Sequence, residues 1–438
     1  MDTIFALSSG SLPSGVAVIR ITGDGCGVVM DEMLQTRPAA RVATLASLCD
    51  PTSREVLDRV LAIWFPAPAS FTGDDVLELH CHGGVATITA ILDTLSGLPH
   101  CRMAAAGEFS RRAFENGKMD LTQLEGLADV LAAQTLAQLR QANDLAAGGL
   151  KSLCERWRAD LIRIRSFLEA EIDFSDEGDV EEAAWDTHRD RLEQLEMEMK
   201  QHLNDANRGR IVREGLKVVL AGPPNAGKSS LLNALAKDEV AIVSPQAGTT
   251  RDVIETHLNI DGFLVRVSDT AGLHDSDDEV ERIGMKRSRE AMSKADLVLW
   301  LQPCDEPPPR HPPQLPDHAR IIGSKSDLVD SPATIDVTFS CATLNGVQPV
   351  VDLISEVCSE RVAQSGSPDA GVVLSRQRHR ECVSTAVNHV AAAMEPGLDA
   401  EFVNEHLRLA SHNIGQLVGH ADVEDLLDVI FNEFCIGK

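Results

Sequence analysis

The stretch "GPPNAGKS", Gly222 to Ser229, sets two glycines, a lysine and a hydroxyl at the spacing G-x-x-x-x-G-K-[ST]. Such a loop bends so that successive backbone N–H groups point at phosphate oxygens, at the positive end of the helix that follows. Lys228 would reach the β and γ phosphates, and the Ser229 hydroxyl would ligate Mg²⁺. Downstream, "GTTRD" supplies Thr250 as a second hydroxyl for Mg²⁺. "SDTAG" places Asp269 at the end of the apolar run "FLVRVSD", with Thr270 and Ala271 leading to Gly272, which is free to sense a γ-phosphate. In "GSKSD", Asp327 can accept from both the ring N–H and the exocyclic amine of guanine, a pair adenine does not offer, while the stem of Lys325 covers the base. Each motif alone is common; four in this order imply a guanine-nucleotide hydrolase.

A Ras-type enzyme orients water with a glutamine just after D-x-x-G, but Leu273 stands there. Leucine holds no water, so the polar group must come from elsewhere, and the acidic "DSDDEVERIG" is the nearest source. Transition-state charge also needs a counter-ion; the one weak candidate in cis is Arg251.

The elements that must position these residues show in the periodicity. "LKVVLAG" reads as a buried strand before the phosphate loop, "SSLLNALA" as the helix after it, and strand–helix alternation runs to about residue 360. Residues 1–118 show strand runs, "VAVIRITG", "VLAIWFP" and "DDVLELHCHGG", the last followed by the helix-like "VATITAILDTL". Helical spacing begins at Leu121, Leu124, Leu127 and Leu131, and returns over 372–394 and 400–432. The expected organisation is multidomain, α/β plus all-α: an α/β domain (1–118), a first helical half (119–210), an inserted P-loop domain (211–365) and a second helical half (366–438). The proline-dense "QPCDEPPPRHPPQLPDHAR" forbids a helix and is expected to be an exposed loop without a catalytic role.

The chain has 438 residues, enough for two to four domains, with 43% hydrophobic and 24% charged residues, which indicates a soluble globular protein. No apolar run approaches the ~20 residues of a bilayer span, and "MDTIFALSSG" lacks a secretory pattern; the expectation is a cytoplasmic protein without membrane partners. Ten cysteines without a CxxC pair read as small buried hydrophobes, and His80, Cys81 and His82 as strand residues rather than zinc ligands. A net charge of −27 argues against tight unaided binding to nucleic acid, so an RNA role needs a local basic patch or a partner.

The stretches "GVAVIRITG", "SFTGDDVLELHCHGG", "AGEFSRRAFENGKMDLTQLEGLADV", "GPPNAGKSSLLNAL", "AIVSPQAGTTRDVIE", "DTAGLHDSDDEVERIG" and the terminal "CIGK" together resemble the tRNA-modification GTPase family called MnmE or TrmE. The similarity runs the full length. It implies an N-terminal folate-binding-like domain that forms a homodimer, a helical domain and an inserted Ras-like GTPase domain. It implies Glu281 as the residue polarising the attacking water, and K⁺ held by Asn225, Ser244, Gln246 and Thr249. Around these, Ala226, Gly227 and Ser230 of the phosphate loop and Pro245, Ala247 and Gly248 of the following loop join the nucleotide site. Against the family's N-K-x-D, Ser324 replaces an asparagine, and one lost hydrogen bond costs about 1 kcal/mol. Ser326 completes that motif. "FSCATLNG" stands where the family has S-A-K, so Ser340, Cys341 and Ala342 are expected to close over the base through backbone N–H groups.

By the same resemblance Arg20, Glu78 and Lys118 contact a one-carbon tetrahydrofolate, the 5-formyl or 5,10-methylene form. Read from the residues alone, these three are ordinary surface or salt-bridge groups. The tail "CIGK" lacks the aliphatic pair of a prenylation signal and a neighbouring cysteine for a redox cycle. The resemblance brings it to the folate pocket, with Lys438 on the ligand and Cys435 near the one-carbon unit as nucleophile or proton donor. The implied activity, with an FAD-containing MnmG/GidA-type partner, is addition of a 5-carboxymethylaminomethyl or aminomethyl group to the wobble uridine (U34) of certain tRNAs. A regulatory GTPase switch, such as a ribosome-assembly factor, is the other class compatible with the nucleotide motifs.

Overall fold

The computed structural model describes residues 2–173, 182–237, 255–269, 289–306, 315–328, 335, 337–343, 346–363, 373–420, 427, 431 and 437, the side chains of 171–173 and 182–187 excepted. Contacts divide the chain into two compact units: Met1–Ala128 with Ala146–Glu155 and Ile414–Lys438, and Asp129–Leu145 with Arg156–Asn413.

The first unit contains β1 (Thr3–Leu7), β2 (Ser14–Thr22), α1 (Cys26–Met33), β3 (Thr44–Cys49), β4 (Val56–Phe65), β5 (Val76–Gly83), α2 (Val85–Ser96), β6 (Cys101–Met103) and α3 (Glu108–Glu115). Its sheet runs β3-β4-β5-β2-β1-β6, antiparallel except that β6 lies parallel to β1. Period-two alternation decides what faces what. Ile19 and Ile21 of β2 and Leu77, Leu79 and Cys81 of β5 are buried in one core with Met30 of α1 and Ile88 and Ile91 of α2. The intervening Arg20, Glu78, His80 and His82 lie on the other face. Each imidazole there sits beside a carboxylate: His80 Nε2 is 3.4 Å from Glu78 and His82 Nδ1 2.7 Å from Asp58. Burial pushes the Cys81 thiol up to about 12, so it stays an inert apolar group. A second cluster joins Ile4 and Ala6 of β1 to Phe109 of α3, with Phe71 against it, and a third joins Leu121 and Leu124 to Leu427 and Phe431 near the C-terminus.

Helices follow: α4 (Leu121–Ala132), α5 (Leu136–Ala146), α6 (Gly149–Asp173) and α7 (Glu182–Glu214). Trp157, Leu161, Ile164 and Leu168 recur on one face of α6, and Leu192, Leu195 and Met199 on one face of α7, all buried. Residues 174–181, between α6 and α7, lie outside the described residues.

Past Gly215 the second unit becomes α/β: β7 (Leu216–Ala221), α8 (Lys228–Lys237), β8 (Glu255–Ile260), β9 (Phe263–Asp269), β10 (Leu297–Pro303), β11 (Ala319–Ser324), β12 (Val337–Thr338) and α9 (Gln348–Ala363). The sheet order is β12-β11-β10-β7-β9-β8, and all pairs are parallel except β8 with β9. Within this unit the Asp129 carboxylate accepts from Arg213 Nε at 3.2 Å and from Arg376 Nη2 at 2.8 Å, so one acid ties the residues flanking the α/β region on both sides. Gln138 Nε2 donates to the Arg213 carbonyl at 2.8 Å and Gln141 Nε2 to that of Gly209 at 3.1 Å.

Two expectations need correction. The proline-dense stretch does not begin as a loop: Gln302 and Pro303 finish β10, in register with Gly323 and Ser324. Proline is tolerated because it is the strand's last residue; 307–314 lie outside the described residues. Two helices follow, α10 (Gln377–Ala393) and α11 (Ala400–Val418); the helical spacing expected over 400–432 is not one helix but is broken after Val418, and beyond the break Leu427 and Phe431 are again helical. Gly419, at φ +89, turns the chain so that the His420 N–H donates to the Gly415 carbonyl at 2.9 Å, a Schellman-type termination.

Candidate functional site

Parallel strands expose their carboxyl ends along one edge, where an open α/β sheet binds ligands. The phosphate loop leaves β7, Asp269 ends β9, and Ser324 ends β11. Gly222 has φ +144, and a Cβ there would lie 2.5 Å from the Leu301 carbonyl of β10, so only glycine lets the loop start this close to the sheet. Asn225 adopts φ +62 and is exposed, while Ala226 is fully buried and anchors the loop.

Lys228 is buried, with its ammonium donating to the carbonyls of Gly222 at 3.0 Å and Pro223 at 2.9 Å. Burial lowers its pKa below the usual lysine value, opposed by the Asp269 carboxylate. The Ser229 hydroxyl donates to Asp269 Oδ2 at 2.7 Å. An alcohol and a carboxylate converging at a helix start suit a hard cation, so this pair fits Mg²⁺, which would neutralise charge building on the β and γ phosphates. Ser230 is exposed on the first turn of α8.

At the other end of the edge, Ser340 Oγ donates to Asp327 Oδ1 at 2.5 Å and accepts from the Ala342 N–H at 3.1 Å. The Ala342 N–H, expected for the base, is thus used to hold the serine that holds Asp327. Asp327 and Cys341 are exposed; partial burial and then the Asp327 charge raise the Cys341 thiol pKa. The Ser326 N–H donates to the Phe339 carbonyl at 3.2 Å. Ser324 is buried with no partner for its hydroxyl among the described residues, the physical counterpart of the missing asparagine amide. Lys325, at φ +59, places its ammonium 3.0 and 3.1 Å from the two Asp305 oxygens, a partner the sequence reading missed. Its only sequence signal was an acid just past the end of a strand.

Ser244, Pro245, Gln246, Ala247, Gly248, Thr249, Thr250, Arg251, Thr270, Ala271, Gly272 and Glu281 lie outside the described residues. Of the K⁺ set only Asn225 is described.

In the first unit, Arg20 Nε and Nη2 donate to Glu78 Oε1 at 3.1 and 2.9 Å, and its guanidinium lies 5.4 Å from the Phe71 ring centroid and 6.0 Å from that of Phe109. Phe109 is fully buried, so only the partly exposed Phe71 is open to a ligand; beside it, a carboxylate that accepts N–H groups and a guanidinium that donates suit a flat heterocycle with a carboxylate tail, such as a folate. Lys118 is exposed beyond α3. Gly437 reaches this sheet: its carbonyl accepts from Ser8 Oγ at 2.9 Å, and at φ +97 a Cβ on it would lie 2.4 Å from the Leu7 carbonyl. Leu7 follows Ala6, the register partner of Arg20. Cys435 and Lys438 lie outside the described residues.

A phosphate loop, a hydroxyl–carboxylate pair and a held aspartate along the carboxyl edge of a parallel sheet define a P-loop nucleotide-binding protein of the GTPase type. A family model described as the MnmE helical domain matches residues 121–435, and one described as the GTP-binding protein TrmE N-terminus matches residues 3–118. The chain belongs to the family of tRNA modification GTPases called MnmE. It is 44% identical over 439 residues to the tRNA modification GTPase MnmE of Brucella suis biovar 1, covering 100% of this chain and 98% of that protein. The protein of the same name from Chelativorans sp. is 46% identical over 448 residues, covering 100% and 98%, and that from Rhodopseudomonas palustris 44% over 443 residues, covering 100% and 99%. Among the described residues no helix is long and apolar enough to cross a membrane.

Proposed function

We propose that this chain is a cytoplasmic, potassium-dependent GTPase that works with an FAD-containing MnmG/GidA-type partner on tRNA. The pair installs the 5-carboxymethylaminomethyl or aminomethyl group on wobble uridine, using a one-carbon tetrahydrofolate. The observation that carries this reading is the pairing of two sites in one member of the family: the Lys228, Ser229 and Asp269 cluster, and the Arg20–Glu78 pair whose sheet the C-terminal segment reaches through Gly437. The α/β region 211–365 is an insertion between the helical halves 119–210 and 366–438, and the domain 1–118 forms the homodimer.

In this reading Lys228 holds the β and γ phosphates, and Ser229 with Thr250 holds Mg²⁺. Glu281 polarises the attacking water, which Leu273 cannot do. Asn225, Ser244, Gln246 and Thr249 would offer oxygens to K⁺, which when bound would supply positive charge beside the transferred phosphoryl group, where Arg251 supplies it from this chain. Ser324, Lys325, Ser326 and Asp327 hold guanine, closed over by Ser340, Cys341 and Ala342. Arg20, Glu78, Lys118 and Lys438 bind the folate, and Cys435 acts at the one-carbon unit.

Two measurements bear on it. Replacing K⁺ by Na⁺ at constant ionic strength should collapse GTP turnover; equal rates in the two salts exclude the potassium site. Mass spectrometry of tRNA nucleosides from cells lacking the chain should show the wobble modification gone, restored by the wild-type chain but not by Cys435→Ser. Unaltered nucleosides on deletion would leave a regulatory switch as the function.

A further inference from the structure

We infer that Asp305 is a positioning residue of the nucleotide site: it pins Lys325 so that the lysine stem forms a ready-made platform for the purine base. The inference rests on the reading of Lys325 and Asp327 as the base site, and adds a residue from a segment expected to be a loop without a catalytic role.

The ends of two adjacent parallel strands bring the pair together. Pro303, the last residue of β10, lies opposite Ser324, the last of β11, and the Cys304 N–H donates to the Ser324 carbonyl at 2.9 Å. Lys325 is one residue past the Pro303–Ser324 pair and Asp305 two, so Asp305 reaches Lys325 from the turn that follows β10 at the carboxyl edge. Lys325 Nζ sits 3.1 Å from Asp305 Oδ1 and 3.0 Å from Oδ2, so both oxygens share one ammonium.

The backbone beneath is fixed as well. Lys325 takes the left-handed conformation at φ +59, rare for a residue with a long side chain, and such strain persists where the surroundings over-determine it. Here the Leu328 N–H donates to the Lys325 carbonyl at 3.1 Å and the Ser326 N–H to the Phe339 carbonyl at 3.2 Å. With its first atoms set by the backbone and its last by Asp305, the four-carbon stem has little freedom left. A free lysine would lose most of its rotamer entropy on covering a base; this one has lost it beforehand, which favours binding. The side chains of Lys325 and Asp305 are 33% and 29% exposed, enough for a base to reach the stem.

Base identity and base affinity thus fall to different carboxylates. Asp327 reads the guanine edge, whereas Asp305 touches no base atom and strengthens the binding of any purine that Asp327 admits. Equilibrium titration of the full chain with fluorescent GDP and with IDP, which lacks the exocyclic amine, separates them. Asp305→Ala should weaken GDP and IDP by the same factor, roughly three- to fivefold, the range of a partly exposed ion pair. Asp305→Glu should recover most of the loss. In a Lys325→Ala background, Asp305→Ala should have no further effect, an outcome a merely structural role for Asp305 would not give. Unchanged affinity in Asp305→Ala, or a loss that persists without Lys325, overturns the inference while leaving the base site intact. Wild-type protein that binds GDP and IDP equally, and Asp327→Ala that alters neither, overturn the base-site reading and the inference with it.

Discussion

Asp327→Asn should turn this protein from guanine to xanthine nucleotides, with a loss of GDP affinity on the order of a hundredfold or more. One Asp327 oxygen is already engaged, accepting the Ser340 hydroxyl at 2.5 Å, so the carboxylate is oriented before a base arrives. What remains faces outward to accept the ring N–H and the exocyclic amine of guanine. Hydrogen bonds to a charged group contribute about 1.5–3 kcal/mol each, so losing two amounts to roughly two to four powers of ten. Asparagine presents an amide N–H₂ where the second oxygen was. Against guanine it sets donor against donor; against the C2 carbonyl of xanthine it makes a bond. Titration with GDP and XDP reads both changes at once. Retention of GDP affinity within threefold would show that the base lies elsewhere. Ser324 sharpens this expectation, because its unpartnered hydroxyl leaves Asp327 with less help than an asparagine amide would give.

Lys228→Ala should lower GTP turnover on the order of a thousandfold, in the range for removing one preorganised electrostatic group from a catalytic site. The ammonium is buried at the start of α8 and held by two loop carbonyls, at 3.0 Å to Gly222 and 2.9 Å to Pro223. It can therefore exchange those carbonyls for phosphate oxygens without a change of place. Alanine leaves the carbonyls to water and removes the positive charge that the β and γ phosphates need. The fold should survive, because the loop is anchored by Ala226 and the close approach of Gly222 to β10. Steady-state GTP hydrolysis beside a thermal melt distinguishes a lost charge from a lost structure. Turnover within tenfold of wild type would remove Lys228 from the mechanism.

The parts of the site that could be read in the chain are those whose partners are close in sequence. The phosphate loop spans Gly222 to Ser229, and its chemistry follows from residue types at fixed spacing on one turn. The strand before it and the helix after it carry their own periodicity, so β7 and α8 lie where the apolar pattern puts them. The alternation in "VLELHCHGG" likewise separates Cys81, in the core, from the polar face of β5. Reading went astray where a local rule met a non-local condition. Proline density argued for a loop from Gln302 onward, but a final strand position tolerates Pro303, and the turn that follows it brings the Asp305 carboxylate to Lys325. The helical pattern up to residue 432 missed the turn at Gly419, since apolar spacing does not report a positive φ.

The sequence by itself determined the class of chemistry, the order of the nucleotide motifs and the type of most elements. Those depend on contacts within a few residues, where backbone geometry leaves few choices. Only the tertiary structure decided which distant residues meet. Arg20 faces Glu78 through antiparallel register, Asp305 reaches Lys325 from the turn after β10, Asp129 gathers Arg213 and Arg376, and Gly437 closes on Leu7 and Ser8. Strand order and register are set by how whole hydrophobic faces pack, and no short stretch of residues carries that information.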